Sequence, residues 1–305
     1  MPHIARAQVY PTRPVRIVVA TAAGGATDIL ARLTGQWLTE RLDQPFVVEN
    51  RPGGGNNIGT EAVARAPADG TTLMMCNSVN TTNPSLYSNL SYDFLTDIIP
   101  VAAVSRAPVV MQVNPSVPAE TGAEFLAYAK ANPGKINMGS GGNGATGHMC
   151  GELFKMMAGV NLQHVPYRGE ANALTGLLGG QVQVVFTSIT SSIGYIRSGQ
   201  LRGLGVSTAT RSAALPDLPP IGDFVPGYEA SSWNGMCAPK GTPAEIVDKL
   251  NKEINAALSD AKFTAKLAEL GSGPFPGSAA EFGRFLAGDV EKWAKVVKFA
   301  GVKAE

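Results

Sequence analysis

The tripeptide Gly-Ala-Thr occurs in two glycine-rich segments of this chain, at residues 25–27 and at residues 144–146. Each copy follows a run typical of a β-strand and precedes a run in which apolar residues recur at helical spacing. Glycines at such a turn leave backbone N–H groups uncovered, and the helix that follows adds unpaired N–H donors and the positive end of its dipole. Each copy therefore predicts a site that binds an anion without a formal positive charge.

Two such loops, one in each of two facing domains, would hold one carboxylate group each, so the pair predicts a small dicarboxylate as the ligand. His148 follows the second copy, where the helix dipole disfavours a charged imidazole, so it would either touch the ligand as a neutral donor or brace the loop. Glycine-rich turns are also routine in α/β folds, which leaves a purely structural role open. The candidate ligand-binding residues of the loops are Ala23, Gly24, Gly25, Ala26, Thr27, Asp28, Gly142, Asn143, Gly144, Ala145, Thr146 and His148.

Further candidates follow other predicted strands, because α/β sheets place ligands beyond the carboxyl ends of their strands. They are Ser78, Asn80, Thr187 and Ser188. Tyr167 and Arg168 follow another strand. Arg168 could pair with a carboxylate through two hydrogen bonds, or it could be a solvated surface residue.

An enzyme is the weaker alternative. Residues 139–144 match the G-x-G-x-x-G pattern of dinucleotide-binding loops, but the acidic partner expected about 20 residues later is missing and the nearest acid is Glu170. No phosphate-binding P-loop, hydrolase elbow or pair of nucleophile and base is present. We therefore predict a binding protein without a cofactor or a metal.

The three cysteines, Cys76, Cys150 and Cys237, are too few and too scattered for a zinc site or a disulfide framework. We predict that they are small apolar residues of the core.

Length and composition fit a soluble chain of two domains. The 305 residues are 44% hydrophobic and 16% charged, with a net charge of +1. A chain with this net charge lacks the excess of basic residues that non-specific nucleic-acid binding needs. No run of about 18 apolar residues predicts a membrane span. We expect a monomer.

Strand and helix patterns alternate through two series and predict parallel sheets. The last third is helical, with an N-cap predicted at Thr242 before Pro243 and a capping box at Ser278 and Glu281. If this tail packs on the first series, domain 1 comprises residues 8–108 and 229–305 and domain 2 residues 109–228. At the start, Ala5-Arg6-Ala7 fits a signal-peptidase site, which predicts cleavage after Ala7 and export to the periplasm.

Several segments together resemble the Bug family, the periplasmic solute-binding receptors of tripartite tricarboxylate transporters. They include "GGATDILAR", "QPFVVENRPGGGNNIGTEAVARAPADGTTL", "HVPYRGEANALTGLLGGQVQVVF" and "GYEASSWNGMCAPKGTPAEIVDKLN", and the likeness runs from about Tyr10 to Gly301. The resemblance implies a two-domain α/β Venus-flytrap fold, each domain a mainly parallel sheet flanked by helices. It also implies capture of a small carboxylate in the cleft by loops 23–28 and 142–146, and delivery to membrane permease subunits. A solitary receptor that signals to a regulator stays open.

The chain departs from the family pattern at three positions. It has "TAAGG" where the family commonly has "FPPGG", and Ala145 where a hydroxyl residue is frequent, although Thr146 could supply that hydroxyl. Thr187 stands where an acid is frequent. Since an ammonium group would need that acid, we expect a ligand without a positive charge.

Overall fold

The computed structural model describes residues 10–303, so the predicted cleavage site lies outside the described residues. The strands are β1 (Val15–Val19), β2 (Phe46–Asn50), β3 (Thr72–Asn77), β4 (Ile98–Ala107), β5 (Val109–Val113), β6 (Asn137–Ser140), β7 (Gln163–Pro166), β8 (Val184–Ser188), β9 (Arg202–Val206), β10 (Ser232–Pro239) and β11 (Gly273–Pro274). The helices are α1 (Ala26–Leu42), α2 (Asn57–Ala64), α3 (Ser78–Leu86), α4 (Phe94–Asp97), α5 (Gly122–Ala131), α6 (Thr146–Ala158), α7 (Glu170–Leu178), α8 (Ile189–Arg197), α9 (Ala244–Ala257), α10 (Ala261–Glu269) and α11 (Ala279–Ala300). Within residues 10–303, no helix combines the length and hydrophobicity that crossing a membrane requires.

The strands form two sheets, which confirms the predicted α/β class. One has the order β11-β4-β10-β3-β1-β2 and the other β7-β6-β8-β5-β9. We call each sheet with its helices a lobe, the six-stranded one the first lobe and the five-stranded one the second lobe.

Four strands of each sheet, β1 to β4 and β6 to β9, run in one direction, as the prediction of mainly parallel sheets requires, and reversed strands make both sheets mixed. β1 pairs in parallel with β2 and β3, but β10 is antiparallel to β3 and β4. In the second lobe β5 is antiparallel to β8 and β9. The reversed strands β5 and β10 are those by which the chain enters each lobe from the other, so they must run away from the edge at which it crosses.

Two adjacent crossovers connect the lobes at this edge. β4 ends at Ala107 and β5 begins at Val109, while the chain returns after β9. The buried residue Ser207 joins the crossovers with four hydrogen bonds of 2.8 Å, in which its backbone and hydroxyl pair with the backbones of Val109 and Ala230. Ser207 therefore holds the two crossovers together.

Each lobe has its own hydrophobic core, and α11 contributes to both. Phe282 and Leu286, near its start, pack with Trp233 of the first lobe. Trp293 and Val296, near its end, belong to the core cluster of the second lobe. The helical tail thus covers both lobes, and the domain boundaries given above remain a prediction.

Helix capping follows the sequence at α11 but not at α9. The N–H of Glu281 donates to Oγ of Ser278, and the N–H of Ser278 donates to the Glu281 carboxylate. α9 begins one residue after the predicted position, because Pro243 is extended (ψ 139°) and serves as the N-cap. The Thr242 hydroxyl donates instead to the carbonyl of Pro239.

The prediction for the cysteines was wrong in one respect, because Cys76 and Cys237 form a disulfide. They lie on β3 and β10, whose pairing brings together residues 161 positions apart in the sequence, at a Cα–Cα distance of 6.3 Å. The antiparallel contact of these strands was not predictable from spacing alone. Cys150 is buried as a free thiol, and burial raises its pKa to about 12.

Candidate functional site

Both glycine-rich loops lie at the edge where the crossovers are. β1 runs in the direction of β4, and β6 in the direction of β9, so all four end at this edge. The loops that follow β1 and β6 therefore belong to the cleft between the lobes, and each leads directly into a helix, α1 or α6.

The first loop is braced by the helix that it precedes. Gly24 has a φ of +85°, and its N–H donates to Oδ2 of Asp28 over 2.9 Å. The buried Asp28 also accepts hydrogen bonds from Arg32 and Asn50, both at 2.9 Å. The hydrogen bond from Arg32, helped by those from Gly24 and Asn50, lowers the pKa of Asp28 to about 2. The Asp28 carboxylate thus holds the loop and is not available to a ligand.

Thr27 attaches the first loop to the sheet. Its hydroxyl donates to Oδ1 of Asn234 over 2.8 Å and accepts from the side chain of Asn77 over 3.4 Å. Asn77 and Asn234 are paired residues of β3 and β10 at the cleft edge. The network leaves the backbone at 22–26 exposed.

The second loop is braced in the same way. Gly144 has a φ of +71°, and its N–H donates to Nδ1 of His148 over 3.0 Å. Nδ1 is therefore the acceptor, and the proton of the neutral ring lies on Nε2, 3.6 Å from the carboxylate of Glu152. The His148 ring stacks on His164 with centroids 3.7 Å apart. Burial lowers the pKa of His164 to about 4.

Asp28 and His148 occupy the same position in the two lobes. Gly25 is the N-cap of α1 and Ala145 that of α6, and neither offers a side-chain hydrogen bond to its helix. In both cases the residue before the N-cap donates its N–H to the third helical residue. The side chain at this third position therefore orders the loop, while the N–H groups of the first helical turn are left for another acceptor.

Uncapped helices are concentrated at the cleft edge. Besides α1 and α6, the helices α7 and α8 begin there without a side-chain cap. At the same edge α3 is capped by Asn77. Away from the cleft, α5, α10 and α11 begin with side-chain caps from Thr121, Asp260 and Ser278, and α9 begins without one. The cleft edge is therefore rich in N–H donors and positive helix ends, which suits a negatively charged ligand.

The lobes touch beside the second loop. Oγ of Ser78, at the start of α3, lies 3.5 Å from Oγ1 of Thr146. A Cβ atom on Gly144 would lie 2.9 Å from Cδ1 of Leu86, at the end of α3. Ser78 and Thr146 thus come together across the cleft, as expected for residues that share one site.

Three other predicted side chains are engaged inside a lobe. Asn80 is buried and caps α3, accepting from the N–H of Asn77 and donating to Thr60. The hydroxyl of Tyr167 is 3.4 Å from Gln181. Thr187 is buried against Gln112 and Ser192. Hydrogen bonds within a lobe thus engage these three side chains, and their contact with a ligand stays a prediction.

Ser188 and Arg168 stay at the cleft edge. The guanidinium of Arg168 is exposed, and the hydroxyl of Ser188 donates to Oε2 of Glu170 over 2.8 Å. Glu170 is a residue that the sequence reasoning missed as part of this site. It brings a carboxylate to the same edge, although Thr187 stands where an acid is frequent in the family, and the expectation of a ligand without a positive charge stays a prediction. The signal was the position of Glu170 in the first turn after a glycine, where an acid favours a helix start.

Two lobes, two adjacent crossovers and a cleft lined by uncapped helices define a two-lobed solute-binding fold. Comparison with known families identifies it further. Residues 30–302 match the model of the tripartite tricarboxylate transporter family receptor, and the chain belongs to this family.

Relatives match along nearly the whole chain. Protein BugT of Bordetella pertussis is 34% identical over 300 residues, which are 97% of this chain and 92% of the relative. A structure of an R. palustris protein with adipate is 39% identical, with a TM-score of 0.79 and coverage of 96% of this chain and 99% of that one. MatC from Rhodopseudomonas palustris, with bound malate, is 28% identical, with a TM-score of 0.75 and coverage of 94% and 100%.

Proposed function

We propose that this protein is a periplasmic receptor that binds a small dicarboxylate between its lobes and delivers it to the permease of a tripartite tricarboxylate transporter. The observation that carries the proposal is the pair of matched loops, each with its glycine N–H bound internally and its first helical turn uncapped. The adipate and malate held by relatives support this class of ligand.

Each carboxylate would accept hydrogen bonds from the first turn of α1 or α6. Hydrogen bonds to a charged acceptor contribute about 1.5–3 kcal/mol each, and a low-mobility loop reduces the entropy lost on binding. The ligand would bridge the lobes and favour a closed cleft, with rotation about the crossovers near Ser207. A permease could then recognise the closed form. Binding and release without chemical change is the activity that we propose.

Proline substitutions test the backbone donors selectively. Ala26 is the first residue of α1, where proline is well tolerated, and the preceding Gly25 is extended (φ −78°, ψ 167°), as a residue before proline should be. Ala26→Pro therefore deletes one N–H group and preserves the helix. Ala279→Pro is the matched control, because it changes the first residue of α11 after the extended Ser278.

The affinities for adipate and malate should be measured by calorimetry with both variants. We expect Ala26→Pro to lower the affinity for the tighter-binding ligand about ten- to a hundredfold, which corresponds to one hydrogen bond to a charged group. The melting temperature should change little. Ala279→Pro should bind like the wild type. Equal affinities for all three proteins would show that the first helical turn of α1 does not bind the ligand.

A further inference from the structure

Glu170 lies directly beside the second loop. It is the first residue of α7, and the N–H of the preceding Gly169 donates to the carbonyl of Gly141 over 3.1 Å. A Cβ atom on Gly141 would lie 3.0 Å from the backbone nitrogen of Glu170 and 3.5 Å from its Cγ. Glu170 therefore packs against the residue that opens the loop 142–146.

Two serine hydroxyls hold the Glu170 carboxylate in place. Oε2 accepts from Oγ of Ser188 over 2.8 Å and from Oγ of Ser191 over 3.0 Å. Ser188 is the N-cap of α8, a position at which serine commonly caps its own helix, but here its hydroxyl donates to Glu170 and makes no capping bond. Because β6 and β8 are neighbours, the carboxylate extends across the cleft ends of both strands.

In the described part of the chain, no positive side chain is paired with this carboxylate. Within residues 10–303, its polar partners are the two serine hydroxyls, and no Lys, Arg or His forms an ion pair with it. An ionised carboxylate can only accept hydrogen bonds, and Oε1 keeps its full capacity to do so. A ligand group near Glu170 would thus be favoured if it donates an O–H or N–H and disfavoured if it carries another negative charge.

We propose that Glu170 is a specificity-determining residue, which selects a dicarboxylate bearing a hydroxyl or ammonium group next to the carboxylate bound at the second loop. This inference rests on the proposed function, since it assumes that the second loop binds a carboxylate. The loop N–H groups then donate to one carboxylate of the ligand. The Glu170 carboxylate accepts from a hydroxyl or ammonium group on the adjacent carbon. Once the cleft closes over the ligand, such a site discriminates against an analogue that lacks the donor, because the Glu170 acceptor is then desolvated and left unpaired.

The test compares ligands that differ only at the carbon next to one carboxylate. The probes are succinate, malate and aspartate, the corresponding five-carbon set of glutarate, 2-hydroxyglutarate and glutamate, and the six-carbon set of adipate, 2-hydroxyadipate and 2-aminoadipate. Affinities are measured by calorimetry with wild type, Glu170→Gln and Glu120→Gln. Glutamine has the size of glutamate and can still accept from the serines. Glu120 is the matched control, because it is an exposed acid of the second lobe. It follows β5, and that strand ends on the side away from the cleft.

We expect wild type to bind one substituted ligand at least tenfold more tightly than its unsubstituted partner. Glu170→Gln should reduce this ratio to about threefold or less, and Glu120→Gln should keep it. Preference for the hydroxyl or the amino member identifies the donor. If unsubstituted dicarboxylates bind as well as their substituted partners, or if Glu170→Gln keeps the wild-type ratio, this inference fails and the proposed function stands. If no member of any set binds wild type, both fail.

Discussion

The backbone N–H of Gly144 donates its hydrogen bond to Nδ1 of His148, four residues later. Gly24 and Asp28 are related in the same way in the other lobe. The carboxylate of Asp28 and the imidazole of His148 thus have the same role. Each holds a glycine-rich loop in place before a helix that has no side-chain cap. This relationship assigns the side chains of both residues to the shape of the loops and leaves ligand contact to the backbone that follows.

The glycine at 144 can be tested against a glycine that has the same backbone conformation. Gly144→Ala places a side chain at a φ of +71° and against Leu86 of the other lobe, whereas Gly159→Ala, at +65°, meets open space at the end of α6. Both changes should cost roughly 1–2 kcal/mol of unfolding free energy from the left-handed conformation. Only Gly144→Ala should weaken dicarboxylate binding, by tenfold or more. Urea unfolding and calorimetry measure the two effects, and equal binding by both variants would contradict the role given to the second loop.

The stability of the second lobe should depend on pH through His164. The folded-state pKa of about 4 lies below the ordinary histidine value of 6.5, so the unfolded state binds more protons between these values. The stabilisation is therefore complete only above about pH 7.5 and decreases as the pH falls toward 4, by at most about 1.6 kcal/mol between pH 6.5 and 5, because solvent screens the partly exposed ring.

The corresponding variant is His164→Gln. It loses the stack on His148 and should be less stable at pH 7, but its unfolding free energy should fall less steeply between pH 6.5 and 5. Urea unfolding at several pH values gives both slopes. Parallel slopes for wild type and variant would show that His164 does not titrate in this range on unfolding.

Ser207 should contribute to the stability of the crossovers. Ser207→Ala removes the acceptor of the Val109 N–H and the donor to the Ala230 carbonyl in a buried position. Leaving a buried donor unpaired costs about 1–3 kcal/mol, so the melting temperature should fall by a few degrees. Ser198→Ala, at an exposed serine, is the control and should leave it unchanged. A melting temperature for Ser207→Ala equal to that of the control would mean that water or a neighbour replaces the hydroxyl.

The disulfide predicts the number of reactive thiols. Cys76 and Cys237 are bonded and Cys150 is free, so the denatured protein should react with one equivalent of a thiol reagent. After reduction it should react with three. The Cys237→Ala variant should show two without reduction. Three equivalents in the unreduced wild type would contradict the bond.

The parts of the fold that depend on local sequence could be predicted. The capping box of Ser278 and Glu281 is complete within four residues, and the strands and glycine turns are recognisable from short segments. The reversed directions of β5 and β10 and the contact of Cys76 with Cys237 arise from how the two lobes are connected, which no short segment records.

The candidate site shows the same division. The turns at Gly24 and Gly144 were predictable because a glycine between a strand and a helix indicates a tight turn from local sequence alone. Thr187 lies near the end of the expected strand but is buried, because the strand pairing directs its side chain to Gln112. Glu170 escaped notice because its partners, Ser188 and Ser191, belong to a different helix that only the folded sheet brings near.

The most direct test of the central claim is a calorimetric titration of ligand-stripped wild-type protein with mono-, di- and tricarboxylates of matched length. If each lobe binds one carboxylate, a dicarboxylate should bind at least a hundredfold more tightly than the monocarboxylate of the same length. This ratio corresponds to a difference of about 2.7 kcal/mol in binding free energy. Equal affinities for mono- and dicarboxylates would contradict two matched anion sites, and the absence of binding throughout the panel would contradict the receptor function that we propose.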